Sequence, residues 1–254
     1  MASNSAQVSR TRPFYADHAQ AYDQLLDDPV EPWVQAVQER LAKAGWRAAA
    51  VLDAGCGTGR HAAALAAKGH RVDLADAAPE LLVQAADRIP GARAMRVDLC
   101  ALELGPIYQA VTCRGVLNDM TTDAERDAVL RSFAEALYAD GLLFLDVREQ
   151  EASRRRADGE PRRRTADLGP RGRLEFTSTS TWQDGLLRVT EQYELHPPLD
   201  SGAPVERSEY AFAMRPWTES EIHTRLAVAG FRNVEIEPGV GRRTTDRLFV
   251  VATR

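Results

Sequence analysis

Cysteine, positive charge and long apolar runs are scarce in this sequence, and each scarcity argues against a class of protein. The chain of 254 residues has 3 Cys, and its 32 Lys and Arg against 37 Asp and Glu give a net charge of −5. The cysteines, Cys56, Cys100 and Cys113, have neither a metal-ligand spacing nor a disulfide framework, which favours buried free thiols. The acidic balance argues against a nucleic-acid partner. Because the N-terminus lacks the apolar core of a secretion signal and no run could cross a bilayer, we expect a cytoplasmic protein without a membrane partner.

Hydrophobic residues make up 44% of the chain and charged residues 27%, a balance typical of a globular protein with a substantial core. Between residues 48 and 147, short apolar runs alternate with amphipathic stretches. This alternation predicts a mainly parallel α/β sheet with helices on both faces. Residues 1–47 predict a polar tail and then a helical cap, with one helix over residues 14–28 and another after the break at Pro29 and Pro32.

The pattern changes after Arg148. Residues 148–173 are rich in Arg, Gly and Pro without a clear period, and their arginine clusters at 154–156 and 162–164 indicate an anionic partner or a solvated mobile loop. Alternating residues from 174 to 214 then predict an antiparallel sheet of about three strands. We therefore predict an inserted β lid over residues 148–215, which could also pair copies of the chain. Residues 216–254 complete the core with a helix, started by a capping box of Thr218 and Glu221, and two strands.

A glycine-rich loop follows the first predicted strand of the core. Residues 51–59 read VLDAGCGTG, so that a buried strand runs into Gly55, Gly57 and Gly59 before a helix begins. Glycine lets a ligand approach the main chain, and free amides at a helix start favour an anionic or oxygen-bearing group. A purely structural turn would also use glycine. A dinucleotide fingerprint requires G-x-G-x-x-G, and Arg60 in the last position disfavours a nicotinamide or flavin dinucleotide.

Three acids accompany successive predicted strands. Asp53 belongs to the first, Asp76 ends the second and Asp98 ends the third. Open α/β sheets bind ligands at the carboxyl ends of their parallel strands, where these side chains would converge. Asp76 could receive two hydrogen bonds from a ribose diol, and Asp98 is placed to accept one from an exocyclic amine. The conjunction of these acids with the glycine loop predicts a ligand site.

These motifs resemble those of class I S-adenosylmethionine-dependent methyltransferases. VLDAGCGTG is similar to the family's first motif, VDLADAAPELL to its second-strand segment with Ala78 in place of Ser, RVDL to its third motif and AVTCRGVLND to its fourth strand. The resemblance covers roughly residues 48–147 and 216–254 and implies a Rossmann-like sheet of seven strands with an antiparallel last strand. It implies S-adenosylmethionine as cofactor and S-adenosylhomocysteine as product. The implied cofactor-binding residues are Tyr15, Tyr22, Asp53, Gly55, Gly57, Gly59, Asp76, Ala77, Asp98, Leu99, Cys113 and Arg114.

Candidates for the reacting site come from three segments. Tyr15 and Tyr22 lie on one side of the first predicted helix, where their rings either face the sulfonium of the cofactor or only pack the helix. His18, expected to be exposed, could act as a base. Asn118 and Asp119 follow the fourth strand and could orient an amine or a hydroxyl, or cap a helix. The catalytic candidates are thus Tyr15, Asn118 and His18, and the substrate candidates are Asn118, Asp119 and, unless the lid keeps them as core, Trp182, Tyr193 and His196.

The favoured function is methyl transfer to an amine nitrogen of a small molecule. The insertion and the N-terminal tyrosines resemble those of antibiotic and amino-sugar N-methyltransferases, and no strong base is evident. An O-methyltransferase with His18 or His196 as base is the alternative. A non-enzymatic cofactor-binding protein is less favoured, and a dehydrogenase and a nucleic-acid methyltransferase are disfavoured by Arg60 and by the acidic balance. No full set of oxygen ligands indicates a metal, so none is predicted.

Overall fold

The computed structural model describes residues 2–254, and no helix within them is long and apolar enough to cross a membrane. The chain forms a seven-stranded sheet, a separate four-stranded sheet and an N-terminal segment. The strands are β1 (Ala50–Ala54), β2 (Arg71–Asp76), β3 (Ala94–Arg96), β4 (Tyr108–Arg114), β5 (Leu137–Arg148), β6 (Arg162–Asp167), β7 (Arg173–Gln183), β8 (Leu186–His196), β9 (Glu206–Met214), β10 (Arg232–Pro238) and β11 (Arg247–Thr253).

The larger sheet has the strand order β10-β11-β5-β4-β1-β2-β3. The five strands from β5 to β3 are parallel to their neighbours, and β11 runs antiparallel to both β5 and β10. This arrangement confirms the predicted Rossmann-like sheet with an antiparallel last strand. The chain continues from β1 to β2 on one side, whereas β4 pairs with β1 on the other. The strand order therefore reverses at β1, and such a switch point opens a ligand crevice at the carboxyl ends of the strands.

Eight α-helices accompany the described strands. Five of them cover the faces of the larger sheet: α3 (Glu31–Lys43), α4 (Arg60–Ala67), α5 (Pro79–Arg88), α6 (Asp123–Ala136) and α8 (Glu219–Val228). On one face, α3, α4 and α5 bury a cluster that includes Trp33 and Leu65; on the other, α6 and α8 bury one that includes Phe133. The Thr218 hydroxyl accepts the N–H of Glu221 (3.1 Å), but the Glu221 carboxylate pairs with arginines instead of closing the predicted capping box. The other three helices are α1 (Asn4–Thr11), α2 (Tyr22–Leu25) and α7 (Gln150–Arg156).

The lid sheet has four strands in the order β6-β7-β8-β9, not the predicted three. The additional strand β6 comes from the arginine-rich stretch that the sequence indicated as a loop. Its residues pair with β7 from Arg162 to Asp167, and Ala166 is its one fully buried side chain. An edge strand whose side chains mostly meet solvent has no alternating apolar pattern, so periodicity could not reveal it. Arginines 154–156 likewise belong to a helix, α7, whose start is capped by the Glu149 carboxylate.

The N-terminal segment, residues 2–28, differs most from the prediction. The expected polar tail contains α1, whose first turn is capped by the Ser3 hydroxyl and whose Ala6 and Val8 are buried. The helix predicted over residues 14–28 is instead a series of turns, a short 3₁₀ helix and the four-residue α2. Phe14 stacks on Phe176 of the lid at 5.5 Å between ring centroids. Contact with the lid therefore outweighs the helix propensity of residues 14–28. The local sequence pattern contains no sign of this contact.

Candidate functional site

A cavity of about 200 Å³, the main cavity, lies at the carboxyl ends of β1, β2 and β4. The glycine loop and the two acids Asp53 and Asp76 form its floor, and Tyr15 and Tyr22 of the N-terminal segment cover it. Phe212 of the lid contributes a further wall. The structure thus brings the glycine loop, two of the three predicted acids and both predicted tyrosines to one site, at the switch point of the sheet.

The three glycines of the loop have positive φ values of 74° (Gly55), 55° (Gly57) and 77° (Gly59). A Cβ on Gly55 would lie 2.3 Å from Cγ2 of Val116, and one on Gly59 would lie 2.9 Å from the Ala85 backbone. These positions accept no larger residue without strain. Gly55 and Gly57 line the main cavity, whereas Gly59 precedes α4 and packs against α5. Gly59 thus allows close packing of the two helices and does not line the main cavity.

Asp76 is buried at the end of β2, where its two oxygens accept backbone N–H groups from Gly57 (2.8 Å) and Ala78 (2.9 Å). Burial raises its pKa, and the hydrogen bonds from Ala78 and Gly57 oppose that rise. Asp76 lines the main cavity and also a second, small cavity of about 20 Å³. It therefore stands at the junction of two compartments, with lone pairs still free to accept hydroxyl groups.

Asp53 is the second buried acid of the main cavity. Burial raises its pKa to about 6, the hydroxyl of Thr112, which donates to Oδ1 at 2.8 Å, lowers it, and the nearby Asp76 raises it. Asp53 and Asp76 thus place two buried carboxyl groups at one edge of the sheet, in a cavity that arginines also line.

The small cavity is lined by Ala77 and Leu99 on the core side and by Ser5, Ala6 and Ser9 of α1 on the other. The third predicted acid, Asp98, does not line it. Its carboxylate accepts the Ser3 N–H at 2.7 Å, the Ser3 hydroxyl at 2.8 Å and the Cys100 N–H at 3.0 Å.

The Asp98 carboxylate thus fastens the N-terminal segment over the small cavity. This bond occupies the oxygens that the sequence assigned to an exocyclic amine.

Both predicted tyrosines are buried next to the glycine loop. The Tyr22 hydroxyl lies 3.4 Å from the position that a Cβ on Gly57 would take, and the Tyr15 and Tyr22 rings are 5.9 Å apart. Burial raises the pKa of Tyr22 to about 12 and that of Tyr15 well above its usual value. Both phenols are neutral in the physiological range.

Asp119 lines the main cavity near Tyr15, and within residues 2–254 its carboxylate accepts no hydrogen bond from the protein. Burial raises its pKa to about 7, while the charges of Arg12, Arg148 and Arg247 lower it. A free carboxylate that titrates near neutral pH and faces a cavity is suited to exchange a proton with a bound ligand.

Comparison with known proteins agrees with this geometry. Residues 51–141 match the protein family described as methyltransferase domain. Residues 51–141 are therefore similar to a methyltransferase domain. This finding confirms the resemblance that the loop and strand motifs indicate.

A curated relative is the dTDP-3-amino-3,6-dideoxy-alpha-D-glucopyranose N,N-dimethyltransferase of Streptomyces fradiae, with 33% identity over 101 residues. This match spans 39% of the present chain and 40% of that enzyme, so about two fifths of the relative's length is covered.

Two solved structures extend the likeness beyond the methyltransferase domain. The S-adenosylmethionine-bound amino pentose methyltransferase of Micromonospora echinaspora, from calicheamicin biosynthesis, is 28% identical, with a TM-score of 0.70 over 87% of this chain and 89% of that chain. A sugar N-methyltransferase of Streptoalloteichus sp. shares the fold, with a TM-score of 0.73 and 22% identity over 87% of this chain and 84% of that one. The shared fold therefore includes most of the chain.

Several predicted residues lie outside the main cavity. Asn118 is fully buried; its side chain donates to the Gly115 carbonyl (3.2 Å) and accepts the Arg148 N–H (2.7 Å). These backbone bonds hold the β4 loop against β5, and Asn118 does not line the main cavity. Cys113 is also fully buried among core residues, whereas its neighbour Arg114 reaches the main cavity.

The histidines and the lid candidates also do not line the main cavity. His18, predicted to be exposed, is 6% exposed and stacks on Tyr193 at 5.2 Å, and burial lowers its pKa. Tyr193 belongs to the buried cluster between the lid and the N-terminal segment. His196 lies 3.7 Å from the carboxylates of both Glu175 and Glu194, and Trp182 lies near the end of β7. None of these four is among the described residues around the cavity.

Several arginines that the sequence motifs did not indicate also line the main cavity. Beyond Arg114, the main cavity is lined by Arg12, Arg60, Arg148, Arg242 and Arg247. The buried Asp146 of β5 holds Arg242 at 2.6 Å and Arg247 at 3.0 Å, and these arginines lower the pKa of Asp146. A carboxylate in the apolar run LLFLDV was the one available signal, because a buried charge needs a partner.

A third cavity, the lid chamber, lies between the lid and β5 and has a volume of about 150 Å³. It shares Arg12 and Arg148 with the main cavity, so the two spaces adjoin. Arg156 and Arg162 line the outer part, and hydroxyl groups of the lid add polar donors. The adjoining spaces can therefore hold a ligand larger than the main cavity alone would take.

Proposed function

We propose that this protein transfers a methyl group from S-adenosylmethionine to an amine nitrogen of a small molecule, an amino sugar being the class that we favour. The observation that carries the proposal is the buried Asp76, which lies beside the glycine loop and borders two adjoining cavities. The domain match and the amino-sugar methyltransferases among the similar proteins support the same reaction.

The residues around the two cavities fit the parts of S-adenosylmethionine. Asp76 at the junction would accept the ribose hydroxyls, and Ala77 and Leu99 would contact the adenine in the small cavity. Asp53 and the loop amides of Gly55 and Gly57 would hold the charged methionyl end in the main cavity. The volume of the small cavity, about 20 Å³, is too small for an adenine ring, so α1 has to move outward when the cofactor enters. When bound, S-adenosylmethionine supplies an electrophilic methyl group.

Asp119 is the residue that we assign to the acceptor amine. An amine reacts through its free lone pair and is protonated in water near neutral pH, so the site has to remove a proton. Asp119 faces the main cavity without a protein partner, and its pKa of about 7 lets it take that proton and later release it. In its ionised form it would also attract the ammonium group of the incoming substrate.

The lid chamber would hold the part of the substrate that does not react. Its arginines favour an anionic group there, and Arg156 and Arg162 have partly exposed side chains that a ligand could reach. A sugar carried on a nucleoside diphosphate has this charge. The O-methyltransferase alternative has less support, because His18 and His196 lie outside the main cavity.

We further propose that the acceptor is a free metabolite in the cytoplasm and that copies of the chain associate through the lid. The first proposal rests on the net charge of −5, which opposes binding to a nucleic acid. The second rests on the unpaired edge of β9. Size-exclusion chromatography coupled to light scattering would test the association.

Calorimetric titration with S-adenosylhomocysteine, with NAD as control, is the first test of the proposed function. We expect saturable binding of S-adenosylhomocysteine alone. Mass spectrometry would then follow the conversion of dTDP-3-amino-3,6-dideoxyglucose, an increase of one methyl mass marking transfer to the amine. A folded protein that binds neither compound would refute the cofactor assignment, whereas binding without methylation of any amine would refute the acceptor class.

A further inference from the structure

A buried carboxylate on the inner face of the lid has no role in the function proposed so far. Glu191 of β8 is 1% exposed and lies between Val189 and Tyr193 on the face that packs against the N-terminal segment. It accepts hydrogen bonds from Nε of Arg12 (2.8 Å), from Nη2 of Arg12 and from the Tyr193 hydroxyl (2.5 Å). A buried carboxylate is costly unless its oxygens are satisfied in this way.

Arg12 connects this carboxylate to the main cavity. Its remaining arm, Nη1, donates to the Tyr15 hydroxyl at 2.6 Å. The guanidinium carbon lies 4.6 Å from the ring centroids of both Tyr15 and Phe212. A two-pronged bond to one carboxylate fixes the plane of a guanidinium, and therefore also the direction of its third arm.

We propose that Glu191 is a positioning residue for methyl transfer, which acts through Arg12 to fix the Tyr15 hydroxyl in the main cavity. The bonds from Glu191 through Arg12 to Tyr15 carry the structural part of this inference. Its effect on methyl transfer rests on the proposed function.

The consequence for Tyr15 follows from the direction of the hydrogen bonds. Because Arg12 donates to the phenol oxygen, the proton of the neutral phenol is left to donate elsewhere. Tyr15 and Asp119 line the same cavity, and the charge of Asp119 is close enough to raise the pKa of Tyr15. We infer that the Tyr15 hydroxyl orients the acceptor while Asp119 takes its proton, and that a turned ring would misalign the nitrogen.

A purely structural role for the ion pair of Glu191 and Arg12 would also explain why the pair is buried, so the test needs a readout of Tyr15 itself. We would label the full-length protein with 3-fluorotyrosine and assign the Tyr15 resonance by its loss in the Tyr15→Phe variant. The test variant is Glu191→Gln, which keeps the size of the side chain and removes its charge. Glu194→Gln, the same change on the same strand at a partly exposed position, is the matched control.

In Glu191→Gln we expect the ¹⁹F resonance of Tyr15 to shift and broaden while that of Tyr22 stays in place, and we expect Glu194→Gln to change neither. Should Glu191→Gln not fold, Arg12→Lys takes its place. Lysine keeps the charge but cannot form the two hydrogen bonds to Glu191 and the one to Tyr15 together. An unchanged Tyr15 resonance in Glu191→Gln, or in Arg12→Lys where that variant replaces it, would overturn the proposal. This readout needs no substrate and therefore stands apart from the proposed function.

Kinetics with dTDP-3-amino-3,6-dideoxyglucose test the catalytic consequence. We expect Glu191→Gln to lower kcat by about tenfold to a hundredfold, as a misplaced reacting group does, with KM changed less than about threefold. In a Tyr15→Phe background the same substitution should cost less than about threefold, since both changes remove one interaction. An equal loss of kcat in both backgrounds would refute action through Tyr15, whereas absence of S-adenosylhomocysteine binding by the wild type would refute only the proposed function.

Discussion

Replacement of Asp119 by Asn should stabilise the protein at alkaline pH and remove its methyl-transfer activity. Asn has the same shape as Asp and no charge. The Asp119 carboxylate accepts no hydrogen bond from the described chain, so the change breaks no contact of the fold. The expected gain in stability therefore comes from the removal of a buried negative charge.

The magnitude follows from the pKa of Asp119, which burial raises from 3.8 to about 7. One pKa unit corresponds to about 1.4 kcal/mol, so the ionised carboxylate lowers the free energy of unfolding by up to about 4 kcal/mol. Between pH 4 and 7 the folded protein retains a proton that the unfolded chain has lost. Stability therefore falls as the pH rises through this window and is constant above it. Asp53, whose pKa is about 6, contributes a similar fall to both proteins and cancels in their difference.

Urea unfolding followed by circular dichroism at pH 4.5, 6 and 8 would measure this difference. We expect Asp119→Asn to be more stable than the wild type by about 1 kcal/mol at pH 4.5, where the unfolded carboxyl is already mostly ionised, and by up to about 4 kcal/mol at pH 8. The variant should still bind S-adenosylhomocysteine and should have lost at least about 99% of its kcat, the lower end of the range for loss of a general base. A stability difference that does not grow with pH would show that Asp119 is ionised throughout.

Three further predictions concern the cofactor site. Asp76→Ala should weaken S-adenosylhomocysteine binding by about tenfold to a hundredfold in calorimetry, since hydrogen bonds to charged groups contribute about 1.5–3 kcal/mol; unchanged affinity would remove Asp76 from the ribose site. Gly55→Ala should lower the melting temperature, because its Cβ would lie 2.3 Å from Val116, and addition of Val116→Ala should restore part of the loss. Ser3→Ala should strengthen S-adenosylhomocysteine binding by about twofold to tenfold, because it removes a competitor for Asp98. Weaker binding would show that the Ser3 contact supports the bound state.

The parts of the fold that the sequence predicted are those in which local pattern and burial coincide. The core strands alternate with amphipathic helices, and the glycine loop has a spacing that one backbone geometry requires. Both features can be predicted from a single segment of the sequence. The same loop led to Asp53 and Asp76, because each acid lies at a fixed distance from a strand end. These features need no information about distant residues.

The predictions that were wrong concern segments whose structure depends on distant partners. His18 was expected to be exposed, yet the lid strand β8 covers it with Tyr193. The arginines of β6 were expected in a loop, yet pairing with β7 forms a strand from them. The cofactor role of Asp98 stays a prediction, but its bond to Ser3, 95 positions away in sequence, was likewise not visible in any local pattern. In each case the deciding contact joins residues that are far apart in the chain.

The charge of the substrate site illustrates why composition misleads at the level of a site. A net charge of −5 describes the whole chain, but the main cavity and the lid chamber collect arginines from the N-terminal segment, from β4 and β5, from the lid and from the loop before β11. Two of these, Arg242 and Arg247, pair with the buried Asp146, whose charge the core could not hold without them. A cavity rich in cations inside an acidic protein favours an anionic substrate without attracting nucleic acid to the surface. These arginines support the anionic substrate proposed above, and the net charge of the chain does not reveal them.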